Sequence, residues 1–288
     1  MTSIGLFSNP TQPGIGVAVD ALAQRISDQG ARVLLADNLR AICKSNPDWF
    51  CSADDLVTQA DVIVAMGGDG TLLRAAEMVH PQDTPILGVN LGRLGFLSGA
   101  EPRELDEGFD RLLSGDYSIE ERIVLHAQTS DRQVFALNEV VIERSVTARL
   151  VLVKMHVGDL PVSSFYGNGL ILSTPTGSTG YNLSSGGPIT HPSLSVLIAT
   201  PICPHSLSQR PLVMPSDQLV TVEVVADQVD EIMLSADGRF VCPLSVGESV
   251  TVQRAPEPVR LINLQGLTFY DLLQRKLDWS LDHRDKKE

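Results

Sequence analysis

The 288 residues are 43% hydrophobic and 20% charged, ordinary globular composition with apolar material for one large core or two smaller ones, and two domains are expected. A formal net charge of −13 argues against broad binding to nucleic acid or anionic membranes, which needs a cationic footprint, so an anionic ligand must meet locally placed arginines or backbone amides. The four cysteines, Cys43, Cys51, Cys203 and Cys242, have neither C-x-x-C spacing nor disulfide-scaffold density, and no stretch has the roughly 18 apolar residues of a membrane span, so a cytoplasmic protein without structural zinc is expected.

The first third alternates short apolar runs with helical periodicity. Ile4 to Phe7 predicts a strand, Val17 to Gln29 a helix, Arg32 to Leu35 a strand, and Asp61 to Met66 a strand buried on both faces, a βαβ rhythm. The last of these runs straight into Gly67-Gly68-Asp69-Gly70-Thr71 and the helical pattern Leu72 to Val79. Another buried strand, Pro85 to Val89, precedes a second glycine-bearing turn, residues 90–95, and Pro102 to Leu113 reads as an amphipathic helix. From Tyr117 the runs Ile123 to Thr129, Val134 to Ile142, Leu150 to Val157, Leu219 to Val225 and Val250 to Arg254 favour β-branched residues, several in alternation. Thr268 to Trp279 has helical spacing suited to packing back on the first domain, and the tail Asp282 to Glu288 is expected to fray. The expected division is an α/β domain over 1–115, rejoined by a helix over 267–280, and a β-rich domain over 116–266.

Three stretches carry candidate chemistry. A glycine loop between a parallel strand and a helix lets backbone N–H groups turn toward a phosphate at a helix N-terminus. The carboxylate of Asp69 would repel a phosphate, so it suggests a proton acceptor or a Mg²⁺ partner; the alternative is a plain turn in which Asp69 caps the helix. In residues 168–188 an apolar strand ends in hydroxyls, glycines and Tyr181, small polar groups suited to a nucleotide. Asn138 and Glu139 lie in a strand-like run from Leu137 to Glu143. They could read a sugar's hydroxyls or an adenine edge, or form an edge pair facing water.

Taken in order, Gly67 to Thr71, Asn90 to Leu97, Asn138-Glu139, Asn168 to Tyr181, Pro201 to Pro211, Ser235-Ala-Asp-Gly-Arg239 and Lys276-Leu-Asp-Trp279 resemble the NAD kinase family. The likeness covers nearly the whole chain from Asp61 onward, and the Ser-Thr-Pro-Thr-Gly-Ser-Thr block at 173–179 is its most specific part. It implies a Rossmann-like α/β domain, a β-rich C-terminal domain, and transfer of the γ-phosphoryl group of ATP to the 2′-hydroxyl of the adenosine ribose of NAD, with Mg²⁺ accompanying the nucleotide. By resemblance, Asp69 accepts the hydroxyl proton, while Gly68, Gly70 and flanking amides lie near phosphate. Asn138 and Glu139 match the adenosine-binding pair. Thr179, Gly180, Tyr181, Asn182, Leu183 and Ser184 match the loop around adenine and ribose, often contributed across a subunit contact, so a homodimer or homotetramer is expected. Arg74 and Arg149 could face phosphates or be solvated surface arginines.

Two positions depart from the family's pattern. Asn168 stands where aspartate is usual, in contact with the nicotinamide end, and keeps the acceptor oxygen without the charge. Gly180 stands where alanine is usual, enlarging the pocket and loosening the loop. Two competing readings share some of these features: a lipid kinase with the same glycine loop, and a catalytically quiet dinucleotide sensor.

Overall fold

The computed structural model describes the chain except residues 93–94, 98, 101, 146–149, 226–231, 246, 265, 278 and 280–288. Arg149 and the tail from Asp282 therefore lie outside the described residues. The chain forms two units, Met1–Glu121 with Val259–Glu288, and Arg122–Pro258.

In the first unit, aliphatic runs become strands joined by helices with one apolar face. Strand β1 (Ser3–Ser8) leads to α1 (Ile15–Asp28), whose Ile15, Val19, Leu22, Ala23 and Ile26 form the buried stripe. After β2 (Arg32–Ala36) and the short β3 (Phe50–Cys51) comes α2 (Ala53–Gln59), started by Ser52, whose hydroxyl accepts the Asp55 N–H. Strand β4 (Val62–Gly67) is buried at every residue, feeds α3 (Asp69–Val79), and is followed by β5 (Ile86–Asn90), α4 (Pro102–Ser114) and β6 (Ser118–Arg122).

The second unit is built from antiparallel strands. These are β7 (Leu125–Gln128), β8 (Gln133–Ala136), β9 (Glu139–Arg144), β10 (Val151–Val157), β11 (Leu160–Gly167), β12 (Gly169–Ser173), β13 (Val196–Ile202), β14 (Leu212–Pro215), β15 (Val220–Val225), β16 (Ile232–Ala236), β17 (Arg239–Leu244) and β18 (Ser249–Arg254). They form two six-stranded sheets, in the orders β11-β10-β15-β18-β7-β8 and β14-β13-β12-β9-β16-β17. Alternate residues of both sheets, among them Val153, Val222, Val250, Val140, Ile142 and Leu172, meet in one apolar core, as in a sandwich. Strand β12 is buried on both faces, with Ile171 meeting Val141 and Ile202 away from that core.

The chain then returns to the first unit as β19 (Val259–Asn263) and α6 (Phe269–Leu277). The first sheet has the order β3-β2-β1-β4-β5-β19-β6, and the pairs β2-β3, β1-β2, β1-β4, β4-β5 and β5-β19 are parallel. Consequently β6 and β19 join the α/β unit, so the division falls after Glu121 and after Pro258 rather than at 115 and 267. Their β-branched residues resemble those of the second unit; which sheet a strand joins is decided by pairing, which local composition does not report. Among the described residues, no helix is long and apolar enough to cross a membrane.

Candidate functional site

The glycine loop stands where the strand order changes direction. Strand β1 leads to β2 on one side, and β4 lies on the other, so the carboxyl ends of β1 and β4 flank the topological switch point, the usual ligand crevice of an open α/β sheet. A Cβ on Gly67 would overlap the Thr71 side chain, which closes the turn from strand to helix. Gly68 and Gly70 are exposed, and a Cβ on either would meet open space. Packing within the protein therefore does not demand glycine there, whereas close approach of a ligand to the backbone would.

Asp69 is the first residue of α3 but does not cap it. The N-cap is Gly68, and the Asp69 carboxylate turns to the returning segment, accepting the Phe96 N–H at 2.9 Å on Oδ2 and the Leu97 N–H at 3.2 Å on Oδ1. A Cβ on Gly95 would overlap this carboxylate, so glycine at 95 is what lets the segment cross Asp69 closely. The Lys276 ammonium lies 5.4 Å from the centre of the Phe96 ring, which places α6 against the same segment. Thus a half-buried carboxylate is oriented by two amides and retains further lone pairs for a proton. Arg74, one turn along α3, is exposed and has no ion-pair partner among the described residues.

The second unit has its own cluster. The run from Val134 to Ile142, read as one strand, is two: the chain breaks at Leu137-Asn138 between β8 and β9. One carboxylate, Asp237, accepts N–H groups from Leu137 at 2.8 Å, Asn138 at 2.8 Å and Glu139 at 3.2 Å. From the other side, Thr174 donates its hydroxyl to Leu137 O at 2.6 Å and its N–H to Asn138 O at 2.9 Å. Glu139 is only 6% exposed, and burial, aided by the Asp237 charge and opposed by the Tyr181 N–H, pushes its carboxyl up to about 7. Glu139 Oε2, Asn138 Oδ1 and Thr176 Oγ1 are buried without a hydrogen-bond partner.

The hydroxyl-rich stretch mostly builds its own shape. Ser178 Oγ donates to Thr190 O and accepts the Thr190 N–H, both at 3.1 Å. A Cβ on Gly177 would overlap Asn138 O. Asn182 is fully buried and fully engaged: Nδ2 donates to Ser178 O and Pro188 O, each at 3.1 Å, and Oδ1 accepts the Thr200 hydroxyl at 2.6 Å. Thr179 and Leu183 are half-buried, Ser184 is exposed, and Tyr181 is 39% exposed with its hydroxyl donating to Glu143 at 3.3 Å. A Cβ on Gly180 would stand 3.0 Å from Glu139 Oε2, so this glycine leaves room beside that oxygen. Asn168 keeps an acceptor oxygen, and Arg144 Nε donates to it at 2.8 Å, occupying one of its two lone pairs.

Two contributors had no role in the sequence reading. The Phe96 and Leu97 amides close the block from Asn90 to Leu97, which carried a family likeness but no assigned role. Asp237 falls in an Asp-Gly pair, a signal for a two-residue hairpin loop, and β16 and β17 are joined through it. Among the described residues, no three or more His, Cys, Asp or Glu side chains are grouped to hold a metal ion.

Comparison with known proteins gives a consistent result. Residues 4–117 match the model of the ATP-NAD kinase N-terminal domain, and residues 137–264 that of the ATP-NAD kinase C-terminal domain. An NAD kinase of Moorella thermoacetica is 40% identical over 281 residues, 96% of this chain and 89% of that protein. An NAD kinase of Gemmatimonas aurantiaca is 44% identical over 235 residues, 79% and 81% of the two chains. Among solved structures, yeast NADH kinase complexed with NADH superposes with a TM-score of 0.86 at 25% identity, covering 97% of this chain and 88% of its own. An Archaeoglobus fulgidus NAD kinase in complex with ATP, at 24% identity and a TM-score of 0.76 over 96% and 98%, shares the fold.

Proposed function

We propose, for a chain that belongs to the NAD kinase family, that Asp69 is the catalytic base in transfer of the γ-phosphoryl group of ATP to the 2′-hydroxyl of the adenosine ribose of NAD. The observation that carries this assignment is a glycine-loop carboxylate held by two amides at the switch point of a parallel sheet. The 2′-hydroxyl gives its proton to Asp69 as its oxygen bonds to the γ-phosphorus; the bond from that phosphorus to the bridging oxygen breaks, and ADP leaves. Phosphoryl transfer has a loose transition state, so a positioned acceptor matters more than a strong base. Gly68, Gly70 and the open first turn of α3 suit phosphate oxygens, and exposed Arg74 could add a cation.

Mg²⁺ travelling with ATP supplies neutralisation of phosphate charge; with no acidic cluster among the described residues, its ligands from the chain would be few, and Asp69 is the carboxylate at this loop. Asn138 and Glu139, with unpartnered buried oxygens, suit adenosine or ribose, and the 179–184 loop around Gly180 and Tyr181 suits the same nucleoside. A homo-oligomer and a cytoplasmic location belong to this reading, the latter in keeping with four unpaired cysteines. The relatives do not favour the lipid-kinase or sensor readings.

The test is NADP formation by purified protein given Mg-ATP with NAD and NADH in parallel, detected by an NADP-specific dehydrogenase. Product is expected, and comparison of the two dinucleotides reports what Asn168 does to redox preference. No product alongside calorimetric NAD binding would return the sensor reading.

A further inference from the structure

Glu139 Oε2 and Asn138 Oδ1 are buried and unpartnered, while the backbone that carries them is hydrogen-bonded from both Asp237 and Thr174. Asp237 takes three successive amides, donates its own N–H to Glu139 O at 3.0 Å, and sits at φ 48° with Gly238 at φ 72°, the left-handed pair of a two-residue hairpin loop. Ser173 and Thr174 hold the carbonyls of the same two peptides. We propose that Asp237 is a positioning residue for dinucleotide recognition, acting through the Asn138-Glu139 pair: it fixes where the two side chains stand and which hydrogen-bonding role Glu139 plays. This inference rests on the pair serving the adenosine ribose.

The chemistry follows from the groups present. A carboxylate accepts only, so it can satisfy three converging N–H groups; an amide in its place would turn donors toward donors. The Asp237 charge reinforces burial in keeping the proton on Glu139. Protonated, Glu139 both donates and accepts, which suits hydroxyls of a ribose; ionised, it only accepts. The other groups acting there are the Tyr181 N–H on Glu139, Glu143 through the Tyr181 hydroxyl, Cys203 near Tyr181, and Arg239, which with the three amides opposes the burial that raises the Asp237 carboxyl. Strand β12 presents uncharged Ser173 opposite Glu139.

The test begins without substrate, by carboxyl ¹³C titration of glutamate-labelled protein, with Glu139→Gln identifying the resonance. The midpoint, about 7 in the unaltered protein, is expected to move to lower pH in Asp237→Asn and Asp237→Ser and to stay near 7 in Asp237→Glu. In Asp237→Asn the KM for NAD should rise about tenfold, the scale of one lost hydrogen bond, while kcat at saturating NAD stays within about threefold. Should Asp237→Asn not fold, Asp237→Ser carries both measurements. An unmoved midpoint, or kcat falling in step with thermal stability at unchanged KM, overturns the proposal. If the unaltered protein binds no NAD, the functional reading fails, whereas the carboxyl titration still tests the hold of Asp237 on Glu139.

Discussion

Asp69 and Glu139 are both carboxylates in recessed surroundings, and their neighbours give them different duties. Asp69 accepts hydrogen bonds from two amides, one on each oxygen, so it stays oriented with lone pairs left for a proton; Asp69→Asn keeps the size but loses the charge and one acceptor oxygen, and turns its N–H₂ toward one of those amides. Turnover should fall by about 10²–10⁴ with NAD binding retained, as read by steady-state kinetics and calorimetry; substantial remaining activity removes Asp69 from the base role. Glu139 is instead short of partners, and burial raises its carboxyl from 4.5 to about 7. The folded chain therefore keeps this proton where the unfolded chain has released it. Its contribution to stability is fully present below about 4.5 and is lost as pH rises through about 7. Glu139→Gln escapes that loss. Between pH 5 and pH 8 its stability relative to the unaltered protein should improve by roughly 2–3 kcal/mol in urea unfolding, and a pH-independent difference would contradict the assignment.

At the level of elements, the hydroxyl-rich segment after β12, the proposed nucleoside loop, is held in shape by its own side chains. Asn182 ties Ser178, Pro188 and Thr200 together in a fully buried position. Asn182→Ala should cost about 2–4 kcal/mol in chemical denaturation, because the Ser178 carbonyl and the Thr200 hydroxyl are left buried and unpaired. If stability were unchanged while NAD binding vanished, Asn182 would be a ligand contact instead. This is also where sequence legibility ends. The strand β4, the glycine loop and α3 could be read from adjacent residues because their signals, an apolar run and helical spacing, are local. The break between β8 and β9 could not, since Asp237 lies about a hundred residues away. Likewise, two amides from 96 and 97 hold the Asp69 carboxylate away from the alternative in which it caps its own helix. The candidate site residues were legible as a set of motifs; which of them spend their polar groups on holding the loop was not.

For the whole molecule, the second unit is an insertion closed on itself: the Ala255 N–H donates to Val124 O near its two ends, and its two sheets share one core. Residues 122–258 expressed alone should give β-type circular dichroism and a cooperative thermal transition. Residues 1–121 alone lack β19, which lies between β5 and β6, and should melt less cooperatively. A disordered 122–258 fragment would show that the unit does not fold on its own.

The position of β19 also sets an order of events during synthesis. The ribosome delivers Asp69 early, yet the sheet behind it is complete only when Val259–Asn263 emerges, after the entire second unit. A nascent chain stopped before that strand holds the glycine loop on an unfinished sheet with a gap beside β5. Premature termination is therefore expected to produce a chain that closes its β-rich unit but cannot finish the one that bears Asp69.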